Sequence, residues 1–415
     1  MKDTNKLGIV CLSNQFYDLP LKTNKYLVMN ELARVGHKVV FVDPPTRFKF
    51  IKQLLKKKKI SFLERKSSNL IVYSPVNFFN FAPFSYLNNL VHYYFIRKAL
   101  RSLKAKEDVL WVYHFDFPKI FFLKKLLNPK VFIYDIVDNY EAFPEYAQQD
   151  TTNTGLVKYI QKADYFLKRF LDQKGLYGVS WVRYQEDKLS KEANLIFTSH
   201  PYLYKKFSKY GKKVKYTPNA GSFKKALEAR DIKLSYMSHL KKPLVGYSGA
   251  IDSYKFDVDT FIYGAKSLPN VHFVLMGPLK LSDSSTKVEE LHKLKNVTLL
   301  GPKKYEESLA FLYYLSAYII PYNLNDYTVK GCFPVKFFNA LAVGVPTVVS
   351  NLPAYKGFED VLYIYKNKEE YVTLLKKALK EDSKELRKRR INISQKNTWE
   401  NKAKTQTGYI LSILN

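Results

Sequence analysis

The sequence predicts an α/β protein made of two consecutive domains, each built on a parallel sheet. At 415 residues the chain is long enough for two separate cores. Short apolar runs alternate with helical periodicity from Leu7 onwards, as in βαβ units. This alternation stops in a polar stretch, 222–242, and then starts again. We therefore place the domain boundary in that stretch.

The composition is that of a globular protein with a strongly cationic surface. Hydrophobic residues make up 46% of the chain, and the formal net charge is +31. Such a charge indicates an anionic partner: nucleic acid, an anionic membrane leaflet or a phosphate-bearing substrate. We find no apolar run of about 18 residues that could span a membrane, and no apolar core of a signal peptide. Two distant cysteines, Cys11 and Cys332, argue against a disulfide framework or zinc site, so we expect a cytoplasmic protein.

In the first half of the chain, the predicted strands end in polar residues. The strands are 7–12, 38–42, 109–113, 131–137, 195–198 and 214–217. Sites in parallel sheets form where strands end. The loop 13–25, which contains Asn14, Lys22 and Asn24, follows the first strand and lies at such an end.

Two neighbouring strand ends carry candidates for acid/base or hydroxyl-binding roles. His114 and Asp116 follow the strand at 109–113, and Asp138 and Glu141 follow the next one. The alternative for each residue is a loop cap, which is the commoner use of Asp and Asn after strands. Their occurrence at two adjacent strand ends favours a site.

Three basic segments interleave lysines with apolar and aromatic residues: 47–59, 86–106 and 121–130. This pattern is typical of helices that lie in an anionic membrane interface. The alternative is the solvated face of an ordinary packed helix. Residues 150–190 show no strand signal, and we interpret them as an insertion, either a lid over an acceptor site or a membrane-facing element. The alternative there is a helical pair packed on the sheet.

In the second half, one stretch predicts an anion site. Residues 331–350 read as a loop, a short helix and a buried strand, with Pro334 in the first helical turn. Lys336 lies in the same turn, beside backbone N–H groups that have no partner within the helix. A diphosphate is the ligand that this arrangement suggests. The alternative is a solvated surface lysine.

Nine segments in this order resemble a known family. They are 21–45, 111–118, 134–143, 193–203, 217–223, 246–257, 268–278, 296–307 and 321–350. Together they resemble the GT-B glycosyltransferases of group 1, also called GT4-like, and among them the TuaH-like and GumK-like transferases of polysaccharide synthesis. The resemblance implies two Rossmann-like domains facing a cleft. Residues 1–222 would bind the acceptor and residues 223–390 the nucleotide sugar, while a C-terminal helix, 391–415, crosses back to the first domain.

The resemblance also implies roles for residues in the second domain. The donor would be a nucleotide sugar, and we expect it to be linked to UDP. The residues that would bind it are Gly249, Ala250, Tyr322, Pro334, Lys336 and Asn339. Positive charge and a helix N-terminus would neutralise the leaving diphosphate, so we expect no metal and no cofactor beyond the donor.

In the first domain, Asp138 would act as the general base of a hexosyltransferase, with Asp116 and Glu141 as reserves. His114 is similar to a histidine that retaining relatives place near the donor sugar, which leaves the stereochemistry open. The acceptor would be a lipid-linked or cell-surface glycan of capsule, exopolysaccharide or teichuronic-type synthesis. The enzyme would work peripherally on the inner face of the plasma membrane.

One position departs from the family pattern. Related enzymes carry a glutamate where this chain has Asn339, and a second glutamate where it has Gly331. Asn339 can bond a diol only as a neutral group. The alternative function is therefore a non-catalytic GT-B-like module in a polysaccharide assembly complex. Nucleic-acid binding is disfavoured, because no nucleic-acid motif accompanies the charge.

Overall fold

Two parallel sheets organise the chain, one in each of two units. The structure, a computed structural model, describes residues 6–19, 22–45, 62–79, 84–143, 146, 178–281, 285–381 and 383–415. The first unit comprises the described residues within 1–19, 23–217 and 403–415, and the second those within 20–22 and 218–402. The chain thus changes unit between Thr217 and Pro218, five residues before the predicted boundary at 222.

The first unit contains an eight-stranded sheet with the strand order β3-β4-β2-β1-β5-β6-β7-β8. Its strands are β1 (Gly8–Leu12), β2 (Lys38–Val42), β3 (Leu63–Ser67), β4 (Leu70–Tyr73), β5 (Val109–Val112), β6 (Val131–Ile136), β7 (Leu195–Thr198) and β8 (Val214–Tyr216). Its helices are α1 (Asn24–Arg34), α2 (Ser85–Ser102), α3 (Ile120–Leu127), α4 (Gly178–Glu192) and α5 (Pro201–Phe207).

The central strands of this sheet are apolar throughout because both of their faces are covered. Every residue of β1 and β5 is buried, as is usual for parallel strands between helical layers. Strand β3 is the exception, since it pairs antiparallel with β4 at the sheet edge and is partly exposed. The strand order changes direction at β1, since β2 and β4 lie on one side of it and β5 and β6 on the other, which opens a crevice at the carboxyl ends of β1 and β5.

The second unit contains a six-stranded parallel sheet with the order β13-β11-β9-β14-β15-β16. Its strands are β9 (Leu244–Ser248), β11 (His272–Met276), β13 (Val297–Gly301), β14 (Ala317–Ile320), β15 (Thr347–Ser350) and β16 (Tyr363–Tyr365), and a separate pair joins β10 (Ile251–Asp252) to β12 (Leu279–Lys280). Counted within the unit, the order is that of a Rossmann sheet, whose crevice lies between its first and fourth strands, here β9 and β14.

Nine helices of the described chain surround this sheet or follow it. They are α6 (Phe223–Glu228), α7 (Val258–Ser267), α8 (Ser285–Lys293), α9 (Tyr305–Phe311), α10 (Asp326–Lys330), α11 (Lys336–Val343), α12 (Lys368–Leu379), α13 (Lys384–Lys396) and α14 (Trp399–Leu414). The predicted C-terminal helix, 391–415, is two helices that are separated at residues 397–398. From Ala403 onwards, α14 belongs to the first unit.

Buried contacts attach the end of α14 to the first unit. Ile410 and Gln406 are fully buried. Gln406 Nε2 donates to Asp135 Oδ2, inside β6, at 3.3 Å. Trp111 Nε1 donates to the same oxygen at 3.1 Å. Residues 403–415 therefore contribute buried contacts to the first unit.

The structure describes two of the three predicted basic segments and part of the predicted insertion. Segment 47–59 lies outside the described residues, as do residues 150–177 of the predicted insertion. The described part of that insertion is α4, whose Val182 and Leu189 join the core, as the packed-helix alternative expects. Segments 86–106 and 121–130 fall largely on α2 and α3, each of which packs one face on the core and leaves the other in solvent.

Candidate functional site

Lys336 lies at the crevice of the second unit, where Rossmann sheets bind their ligands. It is the first residue of α11, and it is partly buried. Its Nζ donates to Tyr247 Oη at 3.0 Å and lies 4.4 Å from the centre of that ring. The ring of Tyr322, which follows β14, is 5.5 Å from the same nitrogen. The ammonium group is therefore held between two aromatic rings at the end of β9.

A hydrogen-bond relay continues from Lys336 into the loop after β9. Tyr247 Oη accepts from Lys336 and donates to the carbonyl oxygen of Ala250 at 2.8 Å. This loop comes so close to Lys336 that a Cβ at position 249 would lie 2.0 Å from Lys336 Nζ, and a side chain there would displace the lysine. Gly249 also has a φ of 147°, a conformation that side chains rarely adopt. The resemblance implied that Gly249, Ala250, Tyr322 and Lys336 lie close together. In the structure they do.

The electrostatic environment of Lys336 favours an anionic ligand. Burial lowers the pKa of Lys336 to about 7, and repulsion from Lys255 contributes to the lowering. Lys255 follows β10 and pairs with Asp252 at 3.5 Å. An anion bound between the two lysines would relieve their repulsion and restore the charge of Lys336. The helix N-terminus adds partial positive charge at the same point.

Two of these residues, Lys255 and Tyr247, were not predicted from the sequence. Lys255 Nζ lies 5.3 Å from the ring centre of Tyr254 and 5.9 Å from that of Tyr327. The position of Lys255, shortly after the glycine-containing end of β9, could have identified it as a candidate site residue. Tyr247 gave no signal, because a tyrosine within a strand is ordinarily part of the core.

The other two residues that were predicted to bind the donor, Asn339 and Pro334, lie at the start of α11 and in the segment before it. Asn339 is one turn beyond Lys336 and 9% exposed, and its Oδ1 accepts from the backbone N–H of Ser222 at 2.9 Å. Asn219 donates to the carbonyl oxygen of Phe333 at 3.2 Å. We predicted that Pro334 lies in the first turn of the helix, and this is wrong. The helix begins at Lys336 with Val335 as its cap, so Pro334 lies two residues before it. These contacts fix the entry of α11 against residues 218–222.

In the crevice of the first unit, His114 and Asp116 contact each other after β5. His114 is 4% exposed, and its Nδ1 accepts from the backbone N–H of Asp116 at 3.2 Å. The carboxylate Oδ2 of Asp116 lies 3.1 Å from the same nitrogen. The edge of the His114 ring packs on Tyr140, with ring centres 4.3 Å apart. Packing and hydrogen bonding thus fix the orientation of the imidazole.

Asp138 and Glu141 follow β6 but have different surroundings. Asp138 is partly exposed at the bend directly after the strand. Glu141 lies in a short 3-10 turn and forms ion pairs with Arg183 at 3.0 Å and Lys206 at 2.7 Å. Lys206 also pairs at 2.9 Å with Glu186, whose pKa burial raises to about 7. The two ion pairs of Glu141 therefore hold this turn in position.

The predicted loop residues divide between the units. Asn14 is partly exposed directly after β1, and Asn24 is the first residue of α1 and nearly buried. Lys22 groups with the second unit. The sequence did not single out Lys25, which is only 3% exposed. Its spacing could have identified it, because it shares the buried face of α1 with Met29 and Leu32.

A groove of about 540 Å³ opens beside Asp116 in the first unit. Aromatic side chains dominate its lining, and two lysines lie on them: Lys119 Nζ is 5.0 Å from the ring centre of Tyr86, and Lys188 Nζ is 4.7 Å from that of Phe121. The outer face of α2 continues the apolar surface with Leu87 and Leu90, which are 40% and 45% exposed. The surface combines apolar area with cationic groups.

Two features are absent from the described residues, a membrane-spanning helix and a cluster of metal-ligating side chains. None of the helices there combines the length and the apolar character that crossing a membrane requires. Within the same ranges, no group of three or more histidine, cysteine or acidic side chains is arranged to hold a metal ion.

Comparison with known proteins connects this geometry to a family. Residues 230–397 match the family model "Glycosyl transferases group 1". The putative teichuronic acid biosynthesis glycosyltransferase TuaH of Bacillus subtilis is 28% identical over 162 residues, which are 38% of this chain and 40% of that protein. The chain therefore aligns with less than half the length of this relative.

Solved structures match over almost the whole chain. Sucrose-phosphate synthase from Thermosynechococcus elongatus has a TM-score of 0.66 at 12% identity, with 99% of each chain covered. Anabaena HepE in complex with UDP and glucose has a TM-score of 0.64 at 13% identity, with 98% of this chain and 99% of that one covered. The predicted GT-B fold is confirmed by these matches, and the predicted family resemblance by the group 1 segment.

Proposed function

We propose that this chain, which has the GT-B fold, is a group 1 glycosyltransferase that moves a sugar from a UDP-sugar to a lipid-linked or cell-surface glycan. The observation that carries the proposal is the position of Lys336 at the β9–β14 crevice, beside Gly249 and the N-terminus of α11. A diphosphate fits there, because backbone N–H groups and two lysines can share its charge. The resemblance to HepE, which was solved with UDP and glucose, supports uridine as the base.

In the proposed mechanism, the leaving diphosphate is stabilised by fixed charge and without a metal ion. Lys336 and Lys255 would neutralise the negative charge that develops as the bond to the sugar breaks. On the acceptor side, Asp138 would accept the proton of the attacking hydroxyl group, since it is partly exposed after β6, whereas Glu141 is held in two ion pairs. His114 would orient the sugar or the acceptor through its remaining ring nitrogen, as its Nδ1 is already bonded.

The groove beside Asp116 supports a lipid-linked acceptor in capsule, exopolysaccharide or teichuronic-type synthesis. Its aromatic lining and the exposed leucines of α2 suit an apolar chain, while Lys119 and Lys188 suit a phosphate group. Lys98 and Arg101 extend the outer face of α2 with further positive charge. We infer that this face rests on the inner leaflet of the plasma membrane, which would present a lipid-linked acceptor to the groove.

Two measurements test the proposed reaction. A panel of UDP-sugars should raise the melting temperature of the wild-type protein, and millimolar concentrations that cause no shift would contradict donor binding. Hydrolysis of the stabilising UDP-sugar should then be measurable. It should fall about 100-fold or more in Asp138→Asn, which keeps the shape of the side chain but cannot accept a proton.

Asn339 favours a second candidate, a non-catalytic module of a polysaccharide assembly complex. Its Oδ1 is bonded to the backbone of Ser222, and the family pattern has a carboxylate at this position. This candidate predicts donor binding without turnover. Hydrolysis that depends on Asp138 would exclude it.

A further inference from the structure

The helix that carries Lys336 is anchored at its first turn by two hydrogen bonds. Asn339 Oδ1 accepts from the backbone N–H of Ser222 at 2.9 Å. The hydroxyl group of Ser394, a fully buried residue of α13, donates to the carbonyl oxygen of Phe338 at 2.8 Å. Both bonds lie within one turn of Lys336, the first residue of α11. The placement of Lys336 therefore depends on these two anchors.

The anchors belong to the two segments by which the chain changes unit. Residues 218–222 follow the passage into the second unit, and residues 394–399 precede the passage back to the first; we call them the crossing segments. They also bond to each other. The N–H of Gly221 donates to the carbonyl oxygen of Asn397 at 2.9 Å, and the N–H of Trp399 donates to that of Gly221 at 3.3 Å. All of these residues belong to the second unit.

The first crossing segment packs directly on α11 and on the loop before it. A Cβ at Gly221 would lie 2.6 Å from the Cβ of Phe338, so the backbone of Gly221 rests against that side chain. Asn219 Nδ2 donates to the carbonyl oxygen of Phe333 at 3.2 Å, and this bond is buried. A displacement of the start of α11 would therefore disturb this segment as well.

We propose that Asn339 is a positioning residue that couples the donor-binding end of α11 to the crossing segments. This role rests on the proposed function, because it takes Lys336 as the group that binds the donor diphosphate. A diphosphate at Lys336 restrains the start of α11, and Asn339 passes that restraint to Ser222. By reciprocity, the bond between Asn339 and Ser222 keeps Lys336 in place for the diphosphate.

The neutral side chain of Asn339 suits this role better than the glutamate of the family pattern. Asn339 is only 9% exposed, and its Oδ1 is bonded to a single backbone N–H. A neutral amide oxygen can be buried on one such donor, whereas an ionised carboxylate in the same place would require a cation or further donors. The position that departs from the family is thus the one bonded to a crossing segment.

Amide hydrogen exchange of the full-length protein, followed by mass spectrometry with and without UDP, tests the coupling. Wild type is compared with Asn339→Leu, which keeps the size of the side chain but has no accepting oxygen. In wild type, UDP at 100 times its Kd should slow exchange in residues 218–222 about tenfold or more, because local opening there unseats Lys336 from the diphosphate. In Asn339→Leu, at 100 times its own Kd, the slowing should be about twofold or less.

Asn194→Leu is the matched control. Asn194 Oδ1 also accepts from a backbone N–H, that of Phe132, at 2.8 Å, but it lies in the first unit. This variant should show the wild-type slowing in residues 218–222. Equal slowing in wild type and in Asn339→Leu would overturn the proposal. So would a wild-type protein that binds UDP without any slowing in this segment.

Inorganic pyrophosphate separates positioning from a direct contact with the nucleotide, because it carries the diphosphate but no ribose. If Asn339 acts through Lys336, Asn339→Leu should weaken the binding of UDP and of pyrophosphate alike, each by about fivefold or more in calorimetry. A loss confined to UDP would mean that Asn339 bonds the ribose, and the positioning role would then be wrong. If Asn339→Leu does not fold, Asn339→Ala takes its place with the same expected results, since alanine adds no bulk and favours the helix.

Ligand binding by wild type separates this role from the proposed function. A wild-type protein that binds neither UDP nor pyrophosphate would refute the proposed function. The anchor is then judged without a ligand: Asn339→Leu should speed up exchange of the Ser222 amide about tenfold, and an unchanged rate would refute the anchor. Binding of UDP by wild type with no effect of Asn339→Leu on exchange or affinity would refute the role of Asn339 alone.

Discussion

Lys336 donates a hydrogen bond of 3.0 Å to Tyr247, and Tyr247 passes it to the carbonyl oxygen of Ala250. The lysine is thus held at the crevice by neutral oxygens, although the nearest other cation repels it. No acidic side chain is a hydrogen-bond partner of its Nζ within the described part of the chain. An arriving diphosphate would supply the missing negative charge.

Removing this charge should weaken donor binding. We expect Lys336→Met to weaken UDP binding about 30-fold or more, the loss of one charge-assisted hydrogen bond of about 2–3 kcal/mol. Isothermal titration calorimetry measures the affinity. Lys356→Met, an exposed lysine of the same unit, is the control and should bind UDP like wild type. Equal affinity in the two variants would show that UDP binds elsewhere.

The affinity for the donor should depend on pH because burial lowers the pKa of Lys336 to about 7. Above pH 7 the free protein loses the proton on Lys336 that the diphosphate requires. We therefore expect the affinity for UDP-glucose to be constant below pH 7 and to fall above it, by up to about tenfold per pH unit. Calorimetry at pH 8 in two buffers should detect proton uptake. An affinity that rises with pH would contradict this role.

The same lysine should destabilise the free protein. Its pKa is lower in the folded state than in the unfolded chain, so the unfolded state binds more protons between about pH 7 and pH 10.5. Stability from this group rises with pH through that range and is lowest below pH 7. Lys336→Met should accordingly raise the melting temperature at pH 7 and lose this advantage towards pH 10. A variant less stable at pH 7 would indicate that the amine is a structural partner.

Gly249→Ala tests the close approach of the loop after β9. The new methyl group would lie 2.0 Å from Lys336 Nζ, and φ is 147° at this position. We expect a destabilisation of about 1–3 kcal/mol and an affinity for UDP at least tenfold weaker, as the lysine is displaced. Gly408→Ala is the matched control, since no atom lies within 4 Å of a Cβ built there in helix α14. It should bind UDP normally and gain stability.

The apolar face of α2 should carry membrane binding. We expect the double variant Leu87→Glu, Leu90→Glu to lose flotation with vesicles that contain phosphatidylglycerol, because both side chains would otherwise enter the interface. UDP binding should be unchanged. Leu227→Glu, a substitution at a leucine that is 47% exposed in the second unit, is the control and should still float. Flotation of the double variant would place the membrane contact elsewhere.

Much of the fold could be predicted because the strands are apolar and buried on both faces. The predicted bounds of β2 and β7 agree with the structure, and those of β1, β5 and β6 differ by one residue. The hairpin of β3 and β4 was missed. Strand β3 reads Leu-Glu-Arg-Lys-Ser and is partly exposed at a sheet edge, so it carries no apolar alternation.

The candidate site could be predicted only in part, because some of its residues have the sequence pattern of an ordinary core. Gly249 was identified because it follows a strand, and Lys336 because it lies in the first turn of a helix, where a lysine can join backbone N–H groups in binding an anion. Lys25 and Tyr247 escaped notice, because a residue on a buried face is ordinarily packing. Their contacts arise from the order of strands in the sheet, which brings together residues that are far apart in sequence.

The attachment of Gln406 to Asp135 has a consequence for how the protein is made. Residues 403–415 are translated after the second unit, yet they cover a carboxylate in the sheet of the first unit. During synthesis that unit stays unfinished while the entire second unit is translated. A nascent chain stopped at Thr217 would therefore be a client for chaperones, and a circular permutant that starts near Ala403 would restore the first unit to an uninterrupted run of sequence.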